Sequence, residues 1–304
     1  MKAIKSENRH SIDVILLTKD SLSRNDPGVF EESLDSIKKE IPINKIIVVD
    51  AFSEDGTIEI IRQRFPNLDV IQDWALRGKA REIGIRAVET EFFMFVDDDV
   101  ILCLGWFDKA IKYFDDERVG AVWGVDRFLQ DGSKAGTIQL MSKVRGLTHD
   151  EILIRNFKIR GGTHDILIKT EAIKGIFIPE DLHVYEDAWI KEFIERRDWK
   201  VLPVSDPWCI HKTPKSKWTW EKGFLLASLE EKYGYLNKNK LYYALRNFIL
   251  GVPKAILIYA VSRNWEESVK QVEYYTVMLA GCLRAKLSGI KRIDRFELME
   301  RYLS

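Results

Sequence analysis

The first hundred residues alternate between short apolar runs and amphipathic stretches, and nothing else in the sequence restricts the fold as strongly. Apolar runs lie at Ile12 to Leu17, Lys45 to Val49, Leu68 to Ile71 and Phe92 to Val96, each ended by polar or glycine-containing turns. Runs of that length between turn signals read as buried strands. The stretches between them, Val29 to Lys39, Thr57 to Phe65 and Lys79 to Val88, space their apolar residues three and four apart and read as helices. Strand and helix in alternation predict an α/β domain, a parallel sheet covered on both faces.

Ligands of such sheets collect beyond the carboxyl ends of the strands. Here those ends are polar: Thr18, Lys19 and Asp20 after the first run, Asp50 and then Ser53-Glu54-Asp55-Gly56-Thr57 after the second, Asp97, Asp98 and Asp99 after the fourth. Three carboxylate-bearing strand ends would converge on one crevice. Consecutive carboxylates repel one another unless solvated or neutralised by a divalent cation. Alternation along the strand turns Asp97 and Asp99 one way and Asp98 the other, offering two oxygen ligands to a hard ion such as Mn²⁺ or Mg²⁺. A solvated acidic turn is the alternative, although turns seldom follow a run as apolar as Phe92 to Val96. A DxD followed by Val also opens the nucleophile motif of haloacid-dehalogenase-like phosphatases, but those enzymes place it on the first strand, and here three strands precede it.

Further along, Gly120 to Val125, Asp165 to Lys169 and Lys200 to Val204 read as strands and Glu186 to Arg196 as a helix, continuing the same domain. From Thr213 the chain becomes helical and aromatic-rich, with Trp218, Trp220, Phe224, Tyr233, Tyr235, Tyr242 and Tyr243. The expected organisation is a catalytic domain over residues 1–212 and a helical, basic extension over 213–304. The extension carries 16 Lys and Arg against 9 Asp and Glu, whereas the front carries 31 against 38. An acidic front suits a metal, and a basic back suits an anionic surface. The most apolar stretch, Phe248 to Val261, includes Pro253 and Lys254 and falls short of the roughly 20 residues that span a bilayer. With Tyr274 to Leu283 and the flanking Arg246, Arg263, Arg284, Lys286, Lys291 and Arg292, it fits either a membrane interface or a helix pair packed on the domain.

Cys103, Cys209 and Cys282 are too far apart for a CxxC site and odd in number, which fits a reducing compartment. Glu7, Asn8, Arg9 and His10 precede the first apolar run without the continuous apolar stretch of a signal peptide. The expected location is therefore cytoplasmic, peripheral on the cytoplasmic membrane face. No GxSxG, HExxH or P-loop pattern supports a hydrolase or ATPase, and no nucleic-acid module appears.

Four segments, IDVILLTKD (12–20), IIVVDAFSEDGT (46–57), RGKAREIGIRAVETEFFMFVDDD (77–99) and YEDAWIKEFIERRDWKVLPV (185–204), resemble the family 2 glycosyltransferases of the GT-A fold, including the polyprenyl-phosphate sugar synthases, in order and spacing. The resemblance covers residues 10 to 212. It implies a Rossmann-like, mainly parallel sheet sandwiched by helices, followed by the C-terminal helical extension. It also implies an inverting, metal-dependent transfer of a sugar from a UDP- or GDP-sugar to a lipid-phosphate or saccharide acceptor.

By the same resemblance Asp50 accepts a hydrogen bond from the base, Thr18 and Lys19 border the nucleotide, and Arg77, Lys79 and Arg81 approach the donor beside Asp97 and Asp98. Glu186-Asp187 matches the family's Glu-Asp pair, with Asp187 as base, and His211 completes a metal site with Asp97 and Asp99. Gly161-Gly162-Thr163-His164-Asp165 matches the loop before the acceptor-side strand, which puts Gly162, His164 and Asp165 on the acceptor side. Asp187 at a helix start is also an ordinary capping carboxylate, and a lone His is often structural. Leu17 stands where the family has Pro, Lys19 where an aromatic is common and Ala51 where many members have a second Asp. These departures leave the base open and keep a degenerate domain acting as a binding or scaffold module as the alternative. Nucleotidyltransferases usually open with a glycine-rich loop, which this chain lacks.

Overall fold

The computed structural model describes residues 11–127, 135–212, 219–235 and 240–303. The expectations that rest on Glu7 to His10, on a boundary at Thr213 and on Trp218 lie outside the described residues. The chain divides into two compact units, Met1–Arg127 with Leu153–Pro214, and Phe128–Ile152 with Lys215–Ser304.

The first unit begins β1 (Ile12–Thr18), α1 (Ser21–Arg24), α2 (Val29–Glu40), β2 (Ile43–Asp50), α3 (Thr57–Arg64), β3 (Leu68–Gln72), α4 (Arg77–Arg86) and β4 (Phe92–Val96). It continues through β5 (Val100–Leu102), α5 (Trp106–Ala110) and β6 (Val119–Asp126). Next come α6 (Ala135–Arg145), in the second unit, and α7 (His149–Arg160), which starts there and ends in the first. Finally β7 (Asp165–Lys169), α8 (Thr170–Ile173), α9 (Glu186–Arg196) and β8 (Lys200–His211) complete the unit.

All of these strands join one sheet in the order β3-β2-β1-β4-β7-β6-β8-β5. Pairings among β3, β2, β1 and β4 are parallel, as is β6 with β8; β7 runs antiparallel to β4 and β6, and β5 antiparallel to β8. The sheet is thus mixed, with the parallel part where the alternating pattern predicted it. Every residue of β4 is buried, as a central strand covered on both faces requires. On α2 the buried Val29, Phe30, Ser33, Leu34 and Ile37 recur at three and four, and Glu31, Glu32 near its start with Lys38, Lys39 near its end complement the helix dipole.

The chain leaves β1 toward β2 on one side and returns to place β4 on the other. Parallel register sets Thr18 beside Asp50, and Asp50 beside Gln72. Asp97 follows directly on β4. The carboxyl ends of β1, β2 and β4 therefore meet at a point where strand order reverses, which is where open α/β sheets hold ligands.

The second unit is helical: α6, then α10 (Trp220–Tyr233), α11 (Lys240–Ile249), α12 (Gly251–Ser262), α13 (Trp265–Leu287) and α14 (Arg295–Glu300). Asn264 caps α13 by accepting from Glu267 N, and the buried Glu267 carboxylate accepts from Thr137 N and Oγ1 of α6. The Phe248 to Val261 run is two helices that meet at Leu250 and Gly251. No single described helix is long and apolar enough to cross a membrane; Leu241–Ile249 and Gly251–Ser262 reach that length only together and are bent by 49°.

Candidate active site

At the ends of β1 and β2, Asp50 is fully buried and accepts hydrogen bonds from Thr18 Oγ1 (2.8 Å), Ser53 Oγ (2.6 Å) and Ser53 N (2.9 Å). A carboxylate offers about four lone pairs, so one is left for a ligand. Lys19 Nζ donates to the Phe52 carbonyl at 3.0 Å and lies 5.2 Å from the Trp74 ring centroid, and Trp74 stacks on Phe52 at 4.7 Å. Phe52 and the exposed Trp74 were not singled out from the sequence, since isolated aromatics in turns carry no periodic signal. Asp55 accepts from Thr57 Oγ1 and Ser23 N and knits the turn after β2 to α1.

The acidic run is not strand, as the alternation argument assumed, but the turn between β4 and β5, closed by Val100 N donating to the Asp97 carbonyl at 3.2 Å, and its side chains part within that turn. Asp98 turns to Ser21 Oγ and the Arg24 guanidinium of α1, and Asn25 Nδ2 donates to its carbonyl. Burial pushes the Asp98 carboxyl up to about 6 against the pull of Arg24. Asp97 accepts from Arg81 Nη2 at 3.1 Å, and Asp99 lies 2.9 Å from His211 Nε2. Burial would raise Asp97, but the cations Arg81, His211 and Arg77 outweigh it and hold the carboxyl below its ordinary value. His211 is disfavoured as a cation by burial, yet Asp99, Asp97 and Asp126 push it up to about 9. Donor atoms of Asp97, Asp99 and His211 all lie within 4.8 Å of one another, a set that can hold a cation. Two carboxylates with an imidazole suit Mn²⁺ or Mg²⁺ better than a thiolate-loving metal.

Pairing of β4 with β7 and of β6 with β8 brings the remaining groups in. Asp97 N donates to the His164 carbonyl at 3.0 Å, and His211 N to Asp126 Oδ1 at 3.2 Å. His164 Nδ1 lies 2.6 Å from Asp165 Oδ1, and Trp106 Nε1 holds the other Asp165 oxygen at 2.9 Å. Burial raises the Asp165 carboxyl against the pull of His164, while for His164 the neighbouring Asp165 outweighs the burial that disfavours its cation and raises it. His164 also packs 5.4 Å from the His211 ring, directly behind the acidic cluster.

The third side is the start of α9. Arg81 is buried and reaches in two directions, toward Asp97 and, at 3.8 Å, toward Glu186. Arg77 stands 3.8 Å from Glu186 as well. Lys79 goes elsewhere: its ammonium pairs with Glu82 at 2.9 Å and covers the Phe177 ring. Asp187 faces Arg160 Nε at 3.7 Å, and burial together with the neighbouring Glu186 pushes its carboxyl up to about 7. Two glycines permit this assembly. A Cβ on Gly78 would come within 2.3 Å of the Leu182 carbonyl oxygen, so only glycine lets α4 approach the loop before α9. A Cβ on Gly161, at φ +85°, would come within 2.9 Å of the Asp187 carbonyl oxygen. Gly162 follows and packs on Phe157.

Ion pairs thus link the acidic turn after β4, His211 and the Glu186-Asp187 helix start, with the aromatic turn after β2 at the neighbouring strand end. Arg24, Asp126 and Arg160 were missed from the sequence. Arg160 had a signal, as the last residue before the Gly161-Gly162 pair; Arg24 and Asp126 are brought in by long-range pairing and had none.

Residues 22–174 match the family described as Glycosyl transferase family 2. No curated protein sequence matches. Mannosyltransferase PcManGT from Pyrobaculum calidifontis, solved with GDP-Man and Mn²⁺, shares 18% identity at a TM-score of 0.52 over 97% of this chain and 80% of that one. S. aureus TarS 1-349 in complex with UDP-GlcNAc shares 16% at 0.51, over 88% and 90%. Glucosyl-3-phosphoglycerate synthase from Mycobacterium tuberculosis, solved with Mn²⁺, UDP and its product, shares 15% at 0.50, over 76% and 82%. At these identities the solved structures speak for the fold, while the sequence match spans half of the chain. The chain belongs to glycosyl transferase family 2 and has the GT-A fold.

Proposed function

We propose that this glycosyltransferase moves a sugar, with inversion, from a UDP- or GDP-sugar to a hydroxyl or phosphate oxygen of a saccharide or lipid-linked acceptor. The observation that carries the reading is Arg81, which joins Asp97 on the cation side to Glu186 on the base side and so makes them one site. Asp97, Asp99 and His211 would hold Mn²⁺ or Mg²⁺, and the ion supplies Lewis acidity for the charge that develops on the departing diphosphate. Complexes of the mannosyltransferase with GDP-Man and Mn²⁺, and of TarS with UDP-GlcNAc, support such donors.

Thr18, Lys19 and Asp50 border the base, with the Phe52–Trp74 stack as a flat aromatic face beside them. Arg77 and Arg81 face the diphosphate, where guanidinium groups make charge-assisted bonds. Asp187, with a carboxyl near 7, takes the proton from the acceptor O–H as that oxygen bonds to the anomeric carbon and the bond to the diphosphate breaks. Gly162 and His164 line the acceptor side. Peripheral attachment to the cytoplasmic face of a membrane through the C-terminal helices belongs to the same reading.

The test is a panel of UDP- and GDP-sugars assayed with and without Mn²⁺, with the product anomer read by NMR. The expected result is metal-dependent turnover of one donor class with inversion. No turnover of any donor, with donor binding intact, would leave a degenerate binding module instead. Asp187→Asn separates the acceptors: a hydroxyl acceptor loses roughly 10²- to 10⁴-fold in kcat, whereas an already ionised lipid phosphate loses far less.

A further inference from the structure

From Lys232 to Asn264 the chain has six Lys and Arg and no Asp or Glu. Within this acid-free stretch, α12 is packed on one side and open on the other. Gly251, Ala255 and Ile258 are buried, and α12 packs on α13 and α6. Its open side has no exposed charged residue. Instead Val252, Ile256 (63% exposed) and Leu257 (53%) stand in solvent, continued across the bend by Ile249 and Leu250. Lys254, the one cation of α12, folds back and donates to Tyr275 Oη at 2.7 Å. A soluble surface helix puts polar residues outward, so an all-apolar open face with cations at its ends marks a docking surface.

The geometry points to an anionic lipid bilayer as the occupant of this face, with α12 and the end of α11 lying in the headgroup and upper acyl region. Three observations choose a bilayer over a protein partner. No Asp or Glu in the stretch opposes anionic headgroups, and the exposed Arg246 and Arg263 attract them. Tyr259 and the exposed Trp265, 5.9 Å apart, sit at the end of the apolar face, as amphipathic rings do at a membrane interface. Arg246 and Arg263 flank the face, where their heads can reach headgroups while the apolar side chains enter. The pair lies in the interface and does not span it: α12 is about 18 Å long against a hydrocarbon core of about 30 Å, and its other face is packed on protein.

This inference rests on the membrane reading above and names the surface that performs it. The full chain is floated with phosphatidylcholine vesicles and with phosphatidylserine-containing vesicles at low and high salt. Wild type is expected to bind the anionic vesicles and to weaken with salt. The exposed double variant Ile256→Glu/Leu257→Glu is expected to lose binding at least tenfold at unchanged circular dichroism and donor hydrolysis, while Leu287→Glu, at an 89% exposed residue of α13, retains it. If wild type binds neither vesicle, both this inference and the membrane reading fall. If wild type binds and the double variant binds equally, only this surface falls. A wild-type dimer by light scattering that the double variant abolishes would assign the face to a second copy and overturn the proposal.

Discussion

At Asp187 the proposed base also bears on stability. Its carboxyl stands near 7 in the folded protein against an ordinary 3.8, so between about pH 4 and 7 the folded state holds a proton that the unfolded state has lost. Stability therefore falls as pH rises through that window and stays low above it. The shift, shared with the neighbouring Glu186, corresponds to on the order of a few kcal/mol. Asp187→Asn has no charge to desolvate, so urea unfolding should show it more stable than wild type at pH 8 by about that amount and nearly equal at pH 4. Equal stabilities at pH 8 would refute the assignment of burial as the cause. Arg81→Ala acts the other way: it leaves Asp97 and the buried Glu186 without their shared cation, and should cost about 3 kcal/mol or more in the same assay. Arg81→Lys cannot reach both carboxylates and should recover only part of this.

Elements show what was legible beforehand and what was not. A period of two separated Asp97 and Asp99 from Asp98 in the sequence, but the three residues form the turn between β4 and β5, so the turn and its partners on α1 and β8, not strand pleating, direct each carboxylate. Periodicity was also available on α4: residues 77 and 81 are one turn apart and share a face, while 79 does not, and the structure sends Arg77 and Arg81 to Glu186 and Lys79 to Glu82. Three-residue β5 is too short to show a period, and the antiparallel placement of β7 depends on pairing across long sequence separation. Arg24 and Asp126 were hidden for that second reason. The contact of α4 with the loop before α9 gives a prediction at this scale. Gly78→Ala must push the helix off the Leu182 carbonyl, costing about 1–3 kcal/mol in stability and drawing Arg77 and Arg81 away from Glu186. Thermal unfolding together with donor Kd would show both losses; a silent Gly78→Ala would mean that the helix gives way freely.

For the whole molecule the testable quantity is linkage between ion binding and folding. An ion that binds only the native state adds about 2.7 kcal/mol at a hundredfold excess over its Kd, which for a unit of this size raises Tm by roughly 5 °C or more. Differential scanning fluorimetry should show that rise with Mn²⁺ for wild type and its loss in Asp99→Asn. An equal rise in both would move the ion away from Asp97, Asp99 and His211.

The contacts of Asp98 with Ser21, Arg24 and Asn25 carry a consequence for the proposed donor site. Helix α1 starts immediately beyond the end of β1 and holds Asp98, the residue between Asp97 and Asp99. If the proposed function is right, these contacts set the span between nucleoside and diphosphate before any ligand arrives. Under the proposed assignment, donors that differ in that span are disfavoured by these hydrogen bonds and this ion pair, and discrimination among sugars falls to the side of α9 and the Gly161-Gly162 loop.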